Sequence, residues 1–223
     1  MRAHLLLVLG SACAIPDQKL GALACAGDPL PTTAPAELAV SGVVVDPFGT
    51  NSTSGLTVAA MPTGFSTMTD AMGDFAATLM TNGTPSPDYL KVTGGSFVDA
   101  YFYPAEPVAT DLEVPLQMYT ADELAMIGPF GSDTEQIIVS VEDCAGSAVA
   151  GATITTQSGT VIYFAQDQPD PTAMATDALT GAAIIVGVTG SNTTLIANTP
   201  ETNFRQHAVG TLPGTLTETA IQP

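Results

Sequence analysis

Short runs of β-branched, aliphatic and aromatic residues punctuate this chain, and Gly, Pro, Asn or Asp bounds almost every run. Successive side chains on a strand face opposite ways, so such runs fit a pleated sheet, while Gly and Pro set the turns. The pattern predicts strands at 38–45, 56–61, 74–80, 89–93, 97–103 and 111–116. A second set is predicted at 137–142, 152–156, 160–164, 182–189, 193–198, 206–212 and 215–221. In the first strand of that set, Ile137, Val139 and Val141 alternate with Ile138, Ser140 and Glu142. Asp167-Gln168-Pro169-Asp170-Pro171 is predicted as a loop.

One segment breaks the period of two. In Thr120-Ala121-Asp122-Glu123-Leu124-Ala125-Met126-Ile127-Gly128, Thr120 and Glu123 have the spacing of a capping box, and Gly128-Pro129 stops the helix. The segment reads as a short connector between two β modules, 37–119 and 136–223, with 120–135 between them. Ahead of the first module, Gly27-Asp28-Pro29-Leu30-Pro31-Thr32-Thr33-Ala34-Pro35 has neither period and reads as a Pro-rich tether.

Composition narrows the partners. The 223 residues are 45% hydrophobic, enough for buried cores, and only 12% charged. Four Lys and Arg stand against 22 Asp and Glu, a formal net charge of −18. Nucleic acid and anionic lipid surfaces are bound by clustered cations, which this chain lacks, so both are excluded as partners.

The N-terminus adds an address. Met1-Arg2-Ala3-His4-Leu5-Leu6-Leu7-Val8-Leu9-Gly10-Ser11-Ala12-Cys13 combines a basic residue, a short apolar run and small residues, the parts of a secretory signal. Ending on a cysteine, it resembles a bacterial lipoprotein signal. That resemblance implies a signal peptide over 1–12, lipidation of Cys13, a tether over 13–36, membrane attachment through the lipid, and an outer-membrane or cell-surface location. An ordinary signal cleaved after Ala24 or Ala26 is the alternative. Either route implies export. If Cys13 carries lipid, Cys25 and Cys144 remain as a pair for a disulfide in an oxidising compartment; two free thiols are the other possibility.

The two modules share an order of signals. A Val-rich strand meets Asp46, then Ser54-Gly55-Leu56-Thr57-Val58, then Thr69-Asp70-Ala71-Met72-Gly73-Asp74-Phe75. A second Val-rich strand meets Asp143, then Ala150-Gly151-Ala152-Thr153-Ile154, then Thr176-Asp177-Ala178-Leu179-Thr180-Gly181-Ala182. Asp in such turns bonds its own backbone, and Gly supplies a positive φ. At these residues the chain resembles tandem carboxypeptidase regulatory-like modules, which have a transthyretin-like (prealbumin-like) fold. The resemblance implies an all-β chain of two Greek-key, Ig-like β-sandwiches in series. It also implies a non-catalytic role as a scaffold or as a domain that contacts an envelope protein or polysaccharide.

The reactive groups support that direction. A nucleophilic triad needs a histidine base, and only His4 and His207 exist, the first within the expected signal. No Gly-x-Ser-x-Gly, phosphate-binding loop or dinucleotide fingerprint occurs, and no cofactor is implied. The adjacent Glu142 and Asp143 are expected to face opposite ways. Asp167, Asp170 and Asp177 could converge with loop carbonyls on calcium, but without an EF-hand spacing they read first as solvated turn carboxylates, so no metal site is assigned. Tyr101 and Tyr103 would bind a sugar if exposed and coplanar; alternation along the strand instead favours packing. Carbohydrate-binding and calcium-dependent adhesive modules are thus the alternatives to a structural or partner-binding one.

Overall fold

The computed structural model describes residues 22–62, 64–166 and 168–223. Nearly all of the regular structure is β. The strands are β1 (Glu37–Val45), β2 (Thr57–Met61), β3 (Ser66–Met68), β4 (Asp74–Met80), β5 (Tyr89–Thr93), β6 (Ala100–Tyr103) and β7 (Leu112–Gln117). After helix α1 (Ala121–Ile127) come β8 (Glu135–Val141), β9 (Thr153–Thr156), β10 (Thr160–Ala165), β11 (Gln168–Asp170), β12 (Ala182–Val188), β13 (Asn192–Asn198), β14 (His207–Gly210) and β15 (Leu216–Ile221).

These strands form three sheets, ordered β4-β1-β7, β11-β10-β12-β8-β15-β6-β5-β2-β3 and β14-β13-β9. Alternation on the long sheet determines where the small sheets pack. Val58, Leu90, Val92, Ala100 and Leu216 point into one apolar cluster with Val40, Val44, Val114 and Leu116 from β1 and β7. Ile137, Val139, Ala183, Ile185 and Ile221 point from the other face into a second cluster with Ile154, Leu195 and Val209. The nine-stranded sheet is therefore sandwiched at both ends, by different partners on opposite faces.

The pairing recurs between the halves. β1 runs antiparallel to β4 and parallel to β7, just as β8 runs antiparallel to β12 and parallel to β15. The shared sequence signals have the same hydrogen bonds. The Thr69 hydroxyl accepts the Leu56 amide at 2.9 Å and donates to the Thr53 carbonyl at 2.5 Å. The Thr176 hydroxyl accepts the Ala152 amide at 3.0 Å and donates to the Val149 carbonyl at 2.6 Å. Asp70 accepts the amides of Met72 and Asp74, and Asp177 those of Leu179 and Thr180. Gly73 and Gly181 have φ of 87° and 60°, and a Cβ on either would run into the carbonyl of Val44 or Val141. Glycine is required there for space as well as conformation.

What joins the halves is β15. Its residues Leu216–Thr219 pair parallel with Ala100–Tyr103 of β6, while its other side pairs with β8. Helix α1 lies against this joint. Thr120 and Glu123 form the capping box, and the Thr50 hydroxyl reaches Glu123 at 3.3 Å. At the other end the wholly buried Gln136 donates from Nε2 to the carbonyls of Leu124 and Gly128, both at 3.1 Å.

Three local expectations change. β6 begins at Ala100 rather than at 97, because Val98 bonds Tyr119 outside the ladder. The 167–171 loop contains a strand, β11, whose Pro169 stands opposite Phe164 at the sheet edge. Proline is tolerated there because an edge strand has one side with no ladder bond to make. β3, three residues long, was too short for its period to register.

Replacing Gln136 with Ala leaves those helix-end carbonyls without their buried donor. Gln136→Ala is expected to lower stability by about 1–3 kcal/mol, measured by urea unfolding, with faster amide exchange in 121–128 than elsewhere.

Candidate functional site

A cleft opens where the halves meet, between edge strand β7 and the outward face of β15, β8 and β12. It encloses about 720 Å³ and is lined by Pro31, Phe102, Gln117, Ile138, Glu142 and Glu218, among others. Past Gln117 it continues into a more apolar recess of about 440 Å³, bordered by Phe48, Tyr119, Ile127, Phe164 and Pro169.

The edge of β7 is blunted against further strand pairing. Residues 113, 115 and 117 point their backbone groups away from β1; Pro115 has no N–H, and the Gln117 amide is taken by the Glu218 carboxylate at 2.9 Å. Burial pushes the Glu218 carboxyl up to about 8, against the Gln117 bond, which favours the charged form. Glu142, also on the cleft, accepts from the Ser140 hydroxyl at 2.8 Å and from Gln222 Nε2 at 3.1 Å. Its neighbour Asp143 turns away to accept the amides of Ala145 and Ser147, so the two do not act as a pair.

A strap crosses the joint. Cys25 and Cys144 are disulfide-bonded with Cα atoms 5.8 Å apart. The Cys144 amide donates to the Ala22 carbonyl at 2.9 Å, and Leu23 packs on the second apolar cluster. Arg205 then donates to the Asp28 carbonyl at 2.5 Å and the Pro223 carbonyl at 2.8 Å while pairing with Glu106 at 3.1 Å. At the far end Ala34 bonds Gly83, and the Thr81 side chain bonds the Pro35 carbonyl. Of the tether expected over 13–36, the described part, residues 22–36, is fixed to the body at both ends.

The other sequence candidates fall as follows. Cys13 and Asp167 lie outside the described residues. Asp170 accepts the amide and hydroxyl of Thr172, and Asp177 the amides of Gln166, Leu179 and Thr180; these bonds hold both carboxyls below their usual range. Each is thus engaged in its own turn, and among the described residues no group of three His, Cys, Asp or Glu is placed to hold a metal. Tyr101 is only 7% exposed, which corrects its candidacy as a sugar platform. Tyr103 stacks on Tyr89 at 4.7 Å and takes a hydrogen bond from Gly210; burial, then Tyr89 and Glu135, push its phenol up to about 12. Tyr101 is thus buried, and Tyr89 covers one face of the half-buried Tyr103. His207 is half-buried, with its Nε2 atom buried and unpartnered among the described residues, and burial lowers its pKa.

Glu135, Glu218, Gln136 and Arg205 escaped the sequence reading. Glu135 is 1% exposed; its carboxylate accepts the Leu212 amide at 2.7 Å and the Thr217 hydroxyl, and burial raises it to about 7.

No family model and no curated protein matches this chain. Solved structures give distant likenesses. A chain of a type II cohesin–X-dockerin interface mutant from Acetivibrio cellulolyticus aligns at 22% identity over 44% of this chain and 67% of that one, with a TM-score of 0.32. The Bacillus anthracis TIE protein aligns at 12% over 84% and 34%, with 0.27. A D295N mutant of the shaft pilin SpaA from Lactobacillus rhamnosus GG aligns at 10% over 86% and 98%, also with 0.27. Scores this low assign neither family nor function.

The disulfide closes a loop of sequence separation 119. Reducing it, or the Cys144→Ser substitution, is expected to lower stability by up to about 4–5 kcal/mol, read as a drop in the denaturant midpoint with and without reductant.

Proposed function

We propose that this chain is an exported, non-catalytic lipoprotein of a bacterial cell envelope, with a structural or partner-binding role. It consists of two prealbumin-like β-sandwich units, 37–119 and 136–223, in tandem across the helical segment 120–135. The matched strand pairing and the twin Thr-Asp turns support the repeat. The observation that carries the lipoprotein reading is the cysteine pairing: with Cys25 joined to Cys144, Cys13 alone is left over, at the end of the signal-like segment.

Lipid on Cys13 would hold the molecule to an outer-membrane or cell-surface leaflet, with an envelope protein or polysaccharide as its partner. Burial of Tyr101 weighs against carbohydrate stacking. The turn bonds of Asp170 and Asp177 weigh against calcium-dependent adhesion. Among the described residues no helix is long and apolar enough to cross a membrane, so attachment in this reading depends on the lipid.

Intact mass of membrane-extracted protein, alkylated before and after reduction, tests the proposal. The expected result is a chain beginning at Cys13 with added acyl mass and no thiol open to alkylation before reduction. An unacylated chain beginning after Ala24 or Ala26 would replace the anchored protein with a released one.

A further inference from the structure

The long sheet lacks a second layer over part of one face. Across β2, β5 and β6 that face is covered by the sheet β4-β1-β7. The same face continues past β15 onto β8, β12 and β10. There Ile138, Ala182 and Phe164 point outward, because Ile137, Ala183 and Tyr163 beside them point into the second cluster. Helix α1 covers this face at Val186, against which Gly128 packs, but Ile138, Ala182 and Phe164 stay half-buried. The covering sheet stops at β7, and the cleft is the step beside its edge.

The polar chemistry of this step is one-sided. Its donors are engaged within the protein: Ser140 and Gln222 donate to Glu142, Thr180 to Asp177, Thr219 to the Tyr103 carbonyl, and the Gln117 amide to Glu218. Pro31, Pro107 and Pro115 on the lining have no N–H. The acceptors are not matched in the same way. Glu113, Glu142 and Glu218 line the step, and the two cations that form ion pairs among the described residues, Lys91 and Arg205, pair with Asp99 and Glu106 instead. Beyond Gln117 the lining turns aromatic: Phe48 is 49% exposed and meets Tyr119 edge-on at 6.3 Å, with Phe164 also on the recess. The cleft and the recess share Gln117, Ile138, Thr180 and Ala182, so they form one groove with an acidic end and an aromatic end.

We propose that this groove docks an extended segment of a partner protein, with an arginine at the acidic end and an aromatic or large aliphatic side chain at the Phe48 and Phe164 end. This deepens the partner-binding reading and rests on it, but not on lipidation. Charge and hydrogen bonding select the occupant together. Arginine brings five donors, no acceptor and a permanent charge to a lining rich in acceptors, and its charge favours the ionised carboxylates beside it. The segment is held by side chains rather than as a further paired strand, since Pro115 and the engaged Gln117 amide interrupt the β7 ladder. The net charge of −18 speeds the arrival of a cationic segment, while the groove determines where it sits.

Selection of a random displayed-peptide library on the mature, disulfide-bonded protein, followed by NMR titration of the enriched peptide, tests the groove. The enriched sequences are expected to place arginine close to an aromatic or large aliphatic residue and to shift the amides of 113–117 and 138–142. Glu142→Gln is expected to weaken that peptide about tenfold, and Glu113→Gln and Phe48→Ala about threefold each. Glu113 and Phe48 are exposed, so their variants keep the fold even if the Glu142 variant does not. Glu201→Gln, at an exposed acid outside the groove, is expected to leave the affinity unchanged. An equal loss in Glu201→Gln would mean that overall acidity alone holds the peptide, and shifts confined to another surface would put the partner there. Either result overturns the groove and leaves the partner-binding reading standing. A library that yields no binder overturns the groove as well, and retention of a polysaccharide by the same protein would then turn the partner-binding reading toward a glycan.

Discussion

Four register pairs, Leu216 with Ala100 through Thr219 with Tyr103, join β15 to β6, and the shape of the molecule depends on them. Without this ladder the nine-stranded sheet would be divided, leaving open edges on β6 and β15 where the strands now meet. With it, the edge of one half's sheet is completed by the other's, and unpaired backbone groups are removed from solvent at both places at once. The parallel sense of the pairing also means that no hairpin could have made it. The two segments are more than a hundred residues apart, so the pairing is a long-range one.

The remaining features of the joint serve that ladder. α1 fills the space beside it and is capped from the body at both ends, by Thr50 through Glu123 and by Gln136. The strap from Cys25 to Ala36 spans it from outside, with Arg205 gathering Asp28, Glu106 and Pro223. One of the few cations in an acidic chain is thus used as a three-way internal tie rather than as part of a binding surface.

Much of this was legible in the sequence where the physics is local. Alternation placed most strands, and the turn signals around Asp46, Asp70, Asp143 and Asp177 were legible because those carboxylates bond amides two to five residues away. The capping box was readable for the same reason. Glu218 was not, since it shares a face with the buried Leu216, and only the long-range approach of β7 supplies the amide that it binds. Tyr101 was ambiguous from alternation alone until Lys91 and Tyr89 were placed around it. The tether was a compositional reading of Pro and Thr, and composition does not register an arginine 177 residues further along the chain.

The disulfide also has a mechanical meaning. Tension applied between a point ahead of Cys25 and a point beyond Cys144 runs through the sulfur bridge into the C-terminal half. Residues 26–143, β8 included, form a closed loop off that covalent line. A steady pull can strip β6 from β15, yet cannot extend the chain between the two cysteines while the bridge is intact. The length that such a pull can draw out of the folded body is therefore set by the residues beyond Cys144.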